Sequence, residues 1–114
     1  MSEIITLCDA WAFRRAYHKG KSCVSPELVT YVIKNKQNNL RIGITTGKKI
    51  GKAVMRSRAR RVIRAAFREV MQSSELQKSG FDVIFVARGK TPFVKSNYLS
   101  KVMKKQLLES SLIK

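Results

Sequence analysis

Residues 40–73 read LRIGITTGKKIGKAVMRSRARRVIRAAFREVMQS and combine a strand pattern, a loop and a long helical pattern. Apolar residues alternate over residues 40–45, as they do in a half-buried strand. Gly47 and Gly51 bound the loop, and residues 53–73 are predicted to form a helix. At about 100° per residue, the apolar side chains of this helix share one face. The residues of this face, which we expect to pack on the core, are Met55, Ala59, Val62, Ile63, Ala66, Phe67 and Val70.

Two further helices are predicted, one on each side of this unit. The first covers residues 7–18, begins after Thr6 with Asp9 in the capping-box position, and ends at Gly20. The last is expected to be capped by Ser96, because apolar residues then recur at helical spacing. These apolar residues are Leu99, Val102, Met103 and Leu107.

Strand patterns occupy most of the remaining chain. Residues 21–24 are extended, and residues 28–33 are rich in the β-branched and aromatic residues that favour strands. The polar residues 35–39 predict a turn, so we expect the strands over 28–33 and 40–45 to form a hairpin. Residues 81–88 contain an unbroken apolar run, which predicts a strand buried on both faces.

The expected order of elements is α-β-β-β-α-β-α, with about four strands and three helices. This order predicts the α/β class, as an α+β two-layer sandwich with helices packed against one sheet. No linker or repeat interrupts the chain, so residues 1–114 are predicted to form a single domain.

The charge of the chain points to an anionic partner. Lysine and arginine number 24 against 7 acidic residues, which gives a formal net charge of +17. Nucleic acid, an anionic membrane surface and an acidic protein could each balance this excess. The longest apolar run is far too short to span a bilayer, and no secretory signal is visible, so we expect a cytoplasmic protein. Cys8 and Cys23 are expected to be small apolar side chains rather than a disulfide.

The helix over residues 53–73 carries a row of arginines. Arg56, Arg60, Arg64 and Arg68 recur every fourth residue, and Arg58 and Arg61 lie on the polar side outside this row. Like charges at this spacing destabilise a helix by roughly 0.2–0.5 kcal/mol per pair. A solvated charged face is the simpler interpretation, but such faces normally mix both signs. Because arginine also binds phosphate oxygens in pairs, we expect this helix to lie against a polyanion, with Lys48 and Lys49 extending the same surface.

Aromatic residues accompany positive charge on the first helix. Phe13 and Tyr17 are four residues apart and project from one side, and Tyr31 lies in a strand expected to pack nearby. Core packing and base stacking are both open for each of these rings. Trp11 and Phe67 are predicted to be core residues. The basic residues that surround the end of this helix are Arg14, Arg15, His18, Lys19 and Lys21.

No catalytic pattern accompanies these features. The acidic residues are scattered, without the paired carboxylates that a two-metal nuclease needs. Cys-His or Ser-His-Asp arrangements and zinc ligands at finger spacing are also missing from the sequence. We therefore predict that the chain has no catalytic centre and no cofactor of its own.

The sequence from Arg41 through Arg68, with its KKIGKAVMRSRARRVIRAAFR core, resembles that of the bacterial ribonuclease P protein component. The spacing of Phe13, Tyr17, Gly20 and Tyr31 and the DVIFVAR segment at 82–88 are similar as well. The resemblance implies assembly with a catalytic RNA that uses Mg²⁺ to remove the 5′ leader of precursor tRNA. It also implies a left-handed β-α-β crossover, in place of the usual right-handed one.

The resemblance implies roles for particular residues, and no membrane or DNA partner. The RNA subunit is expected to contact Lys48, Lys49, Arg56, Ser57, Arg58, Arg60, Arg61, Arg64 and Arg68. The leader is expected to contact Phe13, Tyr17 and Tyr31. The family usually has asparagine where this chain has Ser57, and usually has a basic amino terminus, which residues 1–5 lack. A ribosomal-type RNA-binding protein is the alternative, and the scattered carboxylates disfavour a protein-only nuclease.

Overall fold

The computed structural model describes residues 4–6, 10–35, 40–73 and 80–110. These ranges contain the strands β1 (Ile4–Thr6), β2 (Lys21–Ser25), β3 (Leu28–Lys34), β4 (Leu40–Thr45) and β5 (Phe81–Ala87). They also contain the helices α1 (Ala10–Lys19), α2 (Ala53–Ser73) and α3 (Ser96–Glu109), together with short 3-10 helices at Lys48–Ile50 and Thr91–Phe93. The predicted α/β class, the three helices and the order of the elements are confirmed. The short strand β1 precedes them and was not predicted.

The five strands form one mixed sheet in the order β1-β4-β5-β3-β2. Strand β5 lies between β3 and β4, antiparallel to β3 and parallel to β4. The predicted hairpin of β3 with β4 is therefore wrong. The apolar side chains of β5 can be buried on both faces, so this strand takes the centre of the sheet. The hairpin is instead β2 with β3, closed by Pro26 and Glu27 between the paired residues Ser25 and Leu28.

Helices cover both faces of this sheet. The strand residues that point to one face of the sheet pack with α2 and α3 in the larger core. This core includes Leu28, Leu40, Ile63, Phe85 and Met103. The strand residues that point to the other face pack with α1 in a second cluster, formed by Ala12, Ala16 and Ile84 with Phe13, Tyr31, Ile33 and Val86. The two-layer description therefore needs one addition, because α1 adds a third layer over part of the second face.

The predicted core faces of α2 and α3 are confirmed. Ala59, Ile63, Ala66 and Val70 are buried in α2, and Met55, Val62 and Phe67 are partly buried against them. Leu99, Met103 and Leu107 are buried in α3, with Val102 at their edge.

Two local predictions at helices were wrong, and a third falls partly outside the described residues. Helix α1 is described over Ala10–Lys19 and Thr6 is the last residue of β1, whereas the predicted start of the helix at residues 7–9, with Asp9 in the capping box, lies outside the described residues. The N-cap of α3 is Lys95, so Ser96 is the first helical residue. Trp11 is 59% exposed, because the small residues Ala12 and Ala16 occupy the side of α1 that meets the sheet.

A buried polar cluster fastens α3 to the β2–β3 hairpin. The side-chain amide of Gln106, which is only 3% exposed, donates to the carbonyl oxygen of Leu28 at 3.0 Å. The hydroxyl of Thr30 donates to the amide oxygen of Gln106 at 2.5 Å. The neighbouring Cys23 is buried without a disulfide, and burial, followed by the charge of Glu109, raises the pKa of its thiol. Cys8 lies outside the described residues.

A second polar cluster ties β4 to β5 on the α1 side of the sheet. Arg41 donates from Nε and Nη2 to the two carboxylate oxygens of Asp82, each at 2.7 Å. Asp82 is fully buried, and the side-chain amide of Asn35 donates to the same carboxylate at 2.8 Å. Such a buried pair fixes the register of β4 against β5, because removing one partner leaves an unpaired buried charge.

The unit β4–α2–β5 joins two parallel neighbouring strands through a helix, as a β-α-β crossover does. The left hand of this crossover stays a prediction. None of the described helices has a stretch that is both long and apolar enough to span a bilayer.

Candidate nucleic-acid interface

Three aromatic rings meet on the face of the sheet that α1 covers. The rings of Phe13 and Tyr17 lie 6.5 Å apart between centroids, and those of Tyr17 and Tyr31 lie 5.0 Å apart in an edge-to-face arrangement. Tyr17 is 39% exposed, whereas Phe13 and Tyr31 are half-buried. We call this group the aromatic cluster. The exposed ring of Tyr17 packs against the two partly buried rings of Phe13 and Tyr31. The cluster therefore contributes to the packing of α1 and also presents one ring to solvent.

Close contact between α1 and the sheet brings these rings together. Phe13 and Tyr17 are one helical turn apart on α1, and Tyr31 points to the same side of the sheet as Ile84, its partner across the β3–β5 ladder. Gly20 closes α1, and its amide donates to the carbonyl of Ala16 at 2.8 Å. A side chain at Gly20 would lie 2.5 Å from that oxygen, so glycine is required for this close approach.

A hydroxyl pair links the aromatic cluster to β4. Tyr17 Oη and Thr45 Oγ1 lie 2.9 Å apart, and Thr45 is the last residue of β4. The sequence interpretation missed Thr45, although its position could have been found. It has the same strand parity as Arg41 and Gly43, whose positions face the side of the sheet that α1 covers.

The predicted basic surface lies along α2. Within the row at four-residue spacing, the arginines become more exposed along the helix: Arg56 and Arg60 are half-buried, and Arg64 and Arg68 are exposed. This gradient follows from the four-residue spacing, because each step of four advances about 40° around the helix. The other predicted positions on this helix, Ser57, Arg58 and Arg61, are also exposed.

The positive charge of α2 has no internal compensation. Within residues 10–35, 40–73 and 80–110, none of the α2 arginines forms an ion pair. Glu69 is the only acidic residue of the helix, and its Oε2 is buried without a hydrogen-bond partner among these residues. The first turn also lacks an acidic residue, although the amino end of a helix favours negative charge. Such a surface attracts anions.

The loop that precedes α2 connects the basic surface to the aromatic cluster. Lys48 and Lys49 lie in the 3-10 helix Lys48–Ile50, which begins three residues after Thr45, and Lys49 is exposed. Gly51 follows with φ of 126°, a conformation that favours glycine, and turns the chain into α2. The two candidate RNA surfaces therefore lie on opposite sides of the sheet, and the loop at the carboxyl end of β4 joins them.

The basic residues predicted around the first helix do not all lie beside the aromatic cluster. Arg14, Arg15, His18 and Lys19 line an open depression together with Trp11. At about 100° per residue, Trp11 and His18 lie roughly 100–160° around α1 from the Phe13 and Tyr17 positions. Helix α1 thus has two chemically distinct flanks.

The described residues do not bring together a cation site. No three His, Cys, Asp or Glu side chains among them are placed to hold a metal ion. Among the described residues, the carboxylate of Asp82 is paired with Arg41. This part of the chain therefore does not fit a Mg²⁺ site.

Comparison with known sequences identifies relatives over nearly the whole chain. The family model described as Ribonuclease P matches residues 1–110. A ribonuclease P protein component of Thermoanaerobacter sp. (strain X514) is 36% identical over 110 residues, which cover 96% of this chain and 92% of that protein. The ribonuclease P protein component of Clostridioides difficile (strain 630) is 45% identical over 76 residues, which cover 67% of this chain and 65% of that protein.

Solved structures show the same fold. The RNase P protein of Staphylococcus aureus superposes with a TM-score of 0.79 at 26% identity, covering 96% of this chain and 98% of that one. The RNase P protein of Thermotoga maritima superposes with a TM-score of 0.63 at 28% identity, covering 85% and 86%. The chain therefore belongs to the ribonuclease P protein family, and an RNA-binding role in precursor-tRNA processing follows from that membership.

Proposed function

We propose that this chain binds the RNA subunit of ribonuclease P through α2 and holds the 5′ leader of precursor tRNA against the aromatic cluster. Phosphodiester hydrolysis, together with its Mg²⁺, then belongs to the RNA. The uncompensated positive charge of α2 is the observation that carries this proposal. The cytoplasmic location stays a prediction.

The basic surface supports the RNA-subunit part of the proposal. It comprises Lys48, Lys49, Arg56, Ser57, Arg58, Arg60, Arg61, Arg64 and Arg68. Its arginines have no carboxylate partners among the described residues, so their guanidinium groups are available for phosphate oxygens. The hydroxyl of Ser57 supplies one hydrogen-bond donor and two acceptor lone pairs on a single atom, whereas the amide of asparagine supplies two donors and two acceptor lone pairs on separate atoms.

The aromatic cluster supports the leader part. A single strand presents unstacked bases, which bind to exposed aromatic side chains beside positive charge. Tyr17 is the accessible ring, and Phe13 and Tyr31 hold it from two sides. Lys49 supplies charge from the loop that follows Thr45. The loop that carries Lys48 and Lys49 joins this cluster to the basic surface, to which we assign the RNA subunit.

Cleavage of precursor tRNA at low Mg²⁺ tests the proposal. We expect the cognate RNA to cleave faster when the full chain is present, because the protein neutralises phosphate repulsion between the two RNAs. The double variant Arg60→Gln/Arg64→Gln should lose much of this stimulation, and the charge-matched control Lys101→Gln/Lys105→Gln on α3 should retain it. Cleavage by the polypeptide alone, or no stimulation of the RNA, would contradict the proposal.

A further inference from the structure

The outer flank of α1 carries an aromatic and basic patch that the proposed function does not use. Trp11, Arg14, Arg15 and His18 follow the spacing i, i+3, i+4 and i+7, so they share one side of the helix. Together with Lys19 they line an open depression. We call these five residues the α1 outer patch. It combines three fixed positive charges with a large ring, and it contains no acidic residue.

Trp11 is held in place although it is exposed. Its side chain is 59% exposed, and the guanidinium carbon of Arg15 lies 5.9 Å from the centre of the indole ring. Arg15 is itself tethered, because its Nη2 donates to the main-chain carbonyl of Lys34 at 3.1 Å. The ring therefore has a charged neighbour anchored to β3, and it still presents a broad surface to solvent. A ring oriented in this way needs little further ordering when a planar ligand stacks on it.

We propose that the α1 outer patch binds the leader of precursor tRNA at nucleotides upstream of those held by the aromatic cluster. A base stacks on Trp11, and Arg14 and Lys19 contact the adjoining phosphates. This inference rests on the proposed function, because the aromatic cluster defines which nucleotides come first. It extends the bound leader from one flank of α1 across to the other.

The position of the patch favours the leader over the RNA subunit as its ligand. Helix α2 packs on one face of the sheet and α1 on the other, so the sheet separates the arginine surface from the patch. Two rings of the aromatic cluster, Phe13 and Tyr17, lie on α1 itself, and Phe13 is two residues from Trp11 along the chain. A single strand that leaves Phe13 and Tyr17 has only to cross one helix, about 10–12 Å wide, to reach the patch.

The chemistry of the patch favours RNA over an acidic protein. Carboxylates would pair with Arg14 and Lys19, but they would not stack on the exposed face of the Trp11 indole. Single-stranded RNA supplies both features together, a phosphate at every nucleotide and a planar base between phosphates.

Trp11 is the only tryptophan of the chain, so its fluorescence reports on the patch alone. The experiment uses the reconstituted holoenzyme and precursor tRNAs with an uncleavable linkage at the cleavage site. Two substrates carry leaders of about 4 and about 12 nucleotides, one at the lower limit and one well inside the usual range of single-strand site sizes. We expect the longer leader to quench Trp11 and the shorter one to leave its fluorescence unchanged.

Affinity measurements on a variant complete the test. Trp11→Ala should weaken binding of the longer substrate by about 5- to 150-fold and leave the shorter one unaffected. Phe93→Ala, which removes another exposed ring, is the matched control and should change neither. Equal affinities for Trp11→Ala and the unmodified chain would overturn the inference. Quenching of Trp11 by the RNA subunit alone would also overturn the inference, because the ligand would then be that RNA. Quenching by polyglutamate but not by the leader would overturn it too, because the ligand would then be an acidic polypeptide.

Leader binding by the aromatic cluster is tested separately from leader binding by the α1 outer patch. If Phe13→Ala/Tyr17→Ala leaves the affinity for the shorter leader unchanged, the cluster does not bind the leader and the proposed function is wrong on that point. The Trp11 signal with the longer leader is recorded in the same experiments, and its absence contradicts only the inference about the patch.

Discussion

The hydroxyl groups of Tyr17 and Thr45 lie 2.9 Å apart, across the junction of α1 with the carboxyl end of β4. Tyr17 is the most exposed ring of the aromatic cluster, and Thr45 is followed within a few residues by Lys48 and Lys49. One hydrogen bond therefore orients the accessible ring and ties it to the loop that leads into the basic surface. This hydrogen bond thus links the proposed leader site to the loop that leads into the proposed RNA-subunit surface.

Removing the hydrogen bond without removing the ring should weaken leader binding. Tyr17→Phe and Thr45→Val each keep the shape of the site, and each should reduce affinity for precursor tRNA by about 2- to 12-fold, since a net hydrogen bond contributes roughly 0.5–1.5 kcal/mol. Both changes delete the same bond, so the double variant should lose no more than either single one. Losses that add in the double variant would show that the two hydroxyls act independently. Affinity for mature tRNA provides the reference.

Removing the rings should have a larger effect that is specific to the leader. Phe13→Ala/Tyr17→Ala should weaken binding of precursor tRNA relative to mature tRNA by about 1–3 kcal/mol for each base that stacks. Tyr98→Ala serves as the control, because Tyr98 is an exposed tyrosine on α3, 50% exposed and away from the cluster. Unchanged discrimination between precursor and mature tRNA would rule out the cluster as the leader site.

The buried amide of Gln106 should contribute to stability and not to RNA binding. Gln106→Leu keeps the volume of the side chain but leaves the carbonyl of Leu28 and the hydroxyl of Thr30 without the hydrogen bonds that Gln106 makes with them. Urea unfolding should show a loss of about 1–3 kcal/mol. Gln72→Leu is the matched control, because Gln72 is an exposed helical glutamine. A loss no greater than that of the control would mean that the buried cluster does not fasten α3 to the hairpin.

The packing of α1 on the sheet should depend on Gly20. Gly20→Ala places a Cβ 2.5 Å from the main-chain oxygen of Ala16, so the backbone must shift, at a cost of about 1–3 kcal/mol. A Cβ at Gly89 meets no atom within 4 Å, and Gly89→Ala should therefore have little effect. Equal unfolding midpoints for the two variants would show that α1 moves freely to accommodate the methyl group.

The helices could be predicted from the sequence because their signals are local. The apolar positions 59, 63, 66 and 70 recur at helical spacing, and α2 spans residues 53–73 as predicted. Strand pairing could not be predicted in the same way, because it depends on which strand can be buried on both faces. The apolar run of β5 indicated that property, but a turn-like sequence at 35–39 suggested the simpler hairpin of β3 with β4.

The candidate site was only partly predictable for a related reason. Residues 56, 60, 64 and 68 form a row that helical spacing alone defines. The alternation of β4 places Thr45 on the same side of the sheet as Arg41 and Gly43. Its contact with Tyr17, however, forms only when α1 packs on that side, and no local pattern predicts this packing. Trp11 was wrongly predicted to be a core residue, because a large apolar residue is usually buried. Here the small side chains of Ala12 and Ala16 occupy the packed side of α1 and leave the indole outside.

The salt dependence of RNA-subunit binding tests the central claim, that the uncompensated arginines of α2 contact RNA phosphates. The double variant Arg60→Gln/Arg64→Gln should bind more weakly, and the slope of log affinity against log salt should fall by about 0.7–0.9 for each phosphate that the arginines no longer neutralise. The stability of the variant should not fall, because like charges along the helix are removed. Lys101→Gln/Lys105→Gln, with the same reduction of charge on α3, should leave the slope unchanged. Identical slopes for the arginine variant and the unmodified chain would contradict the account.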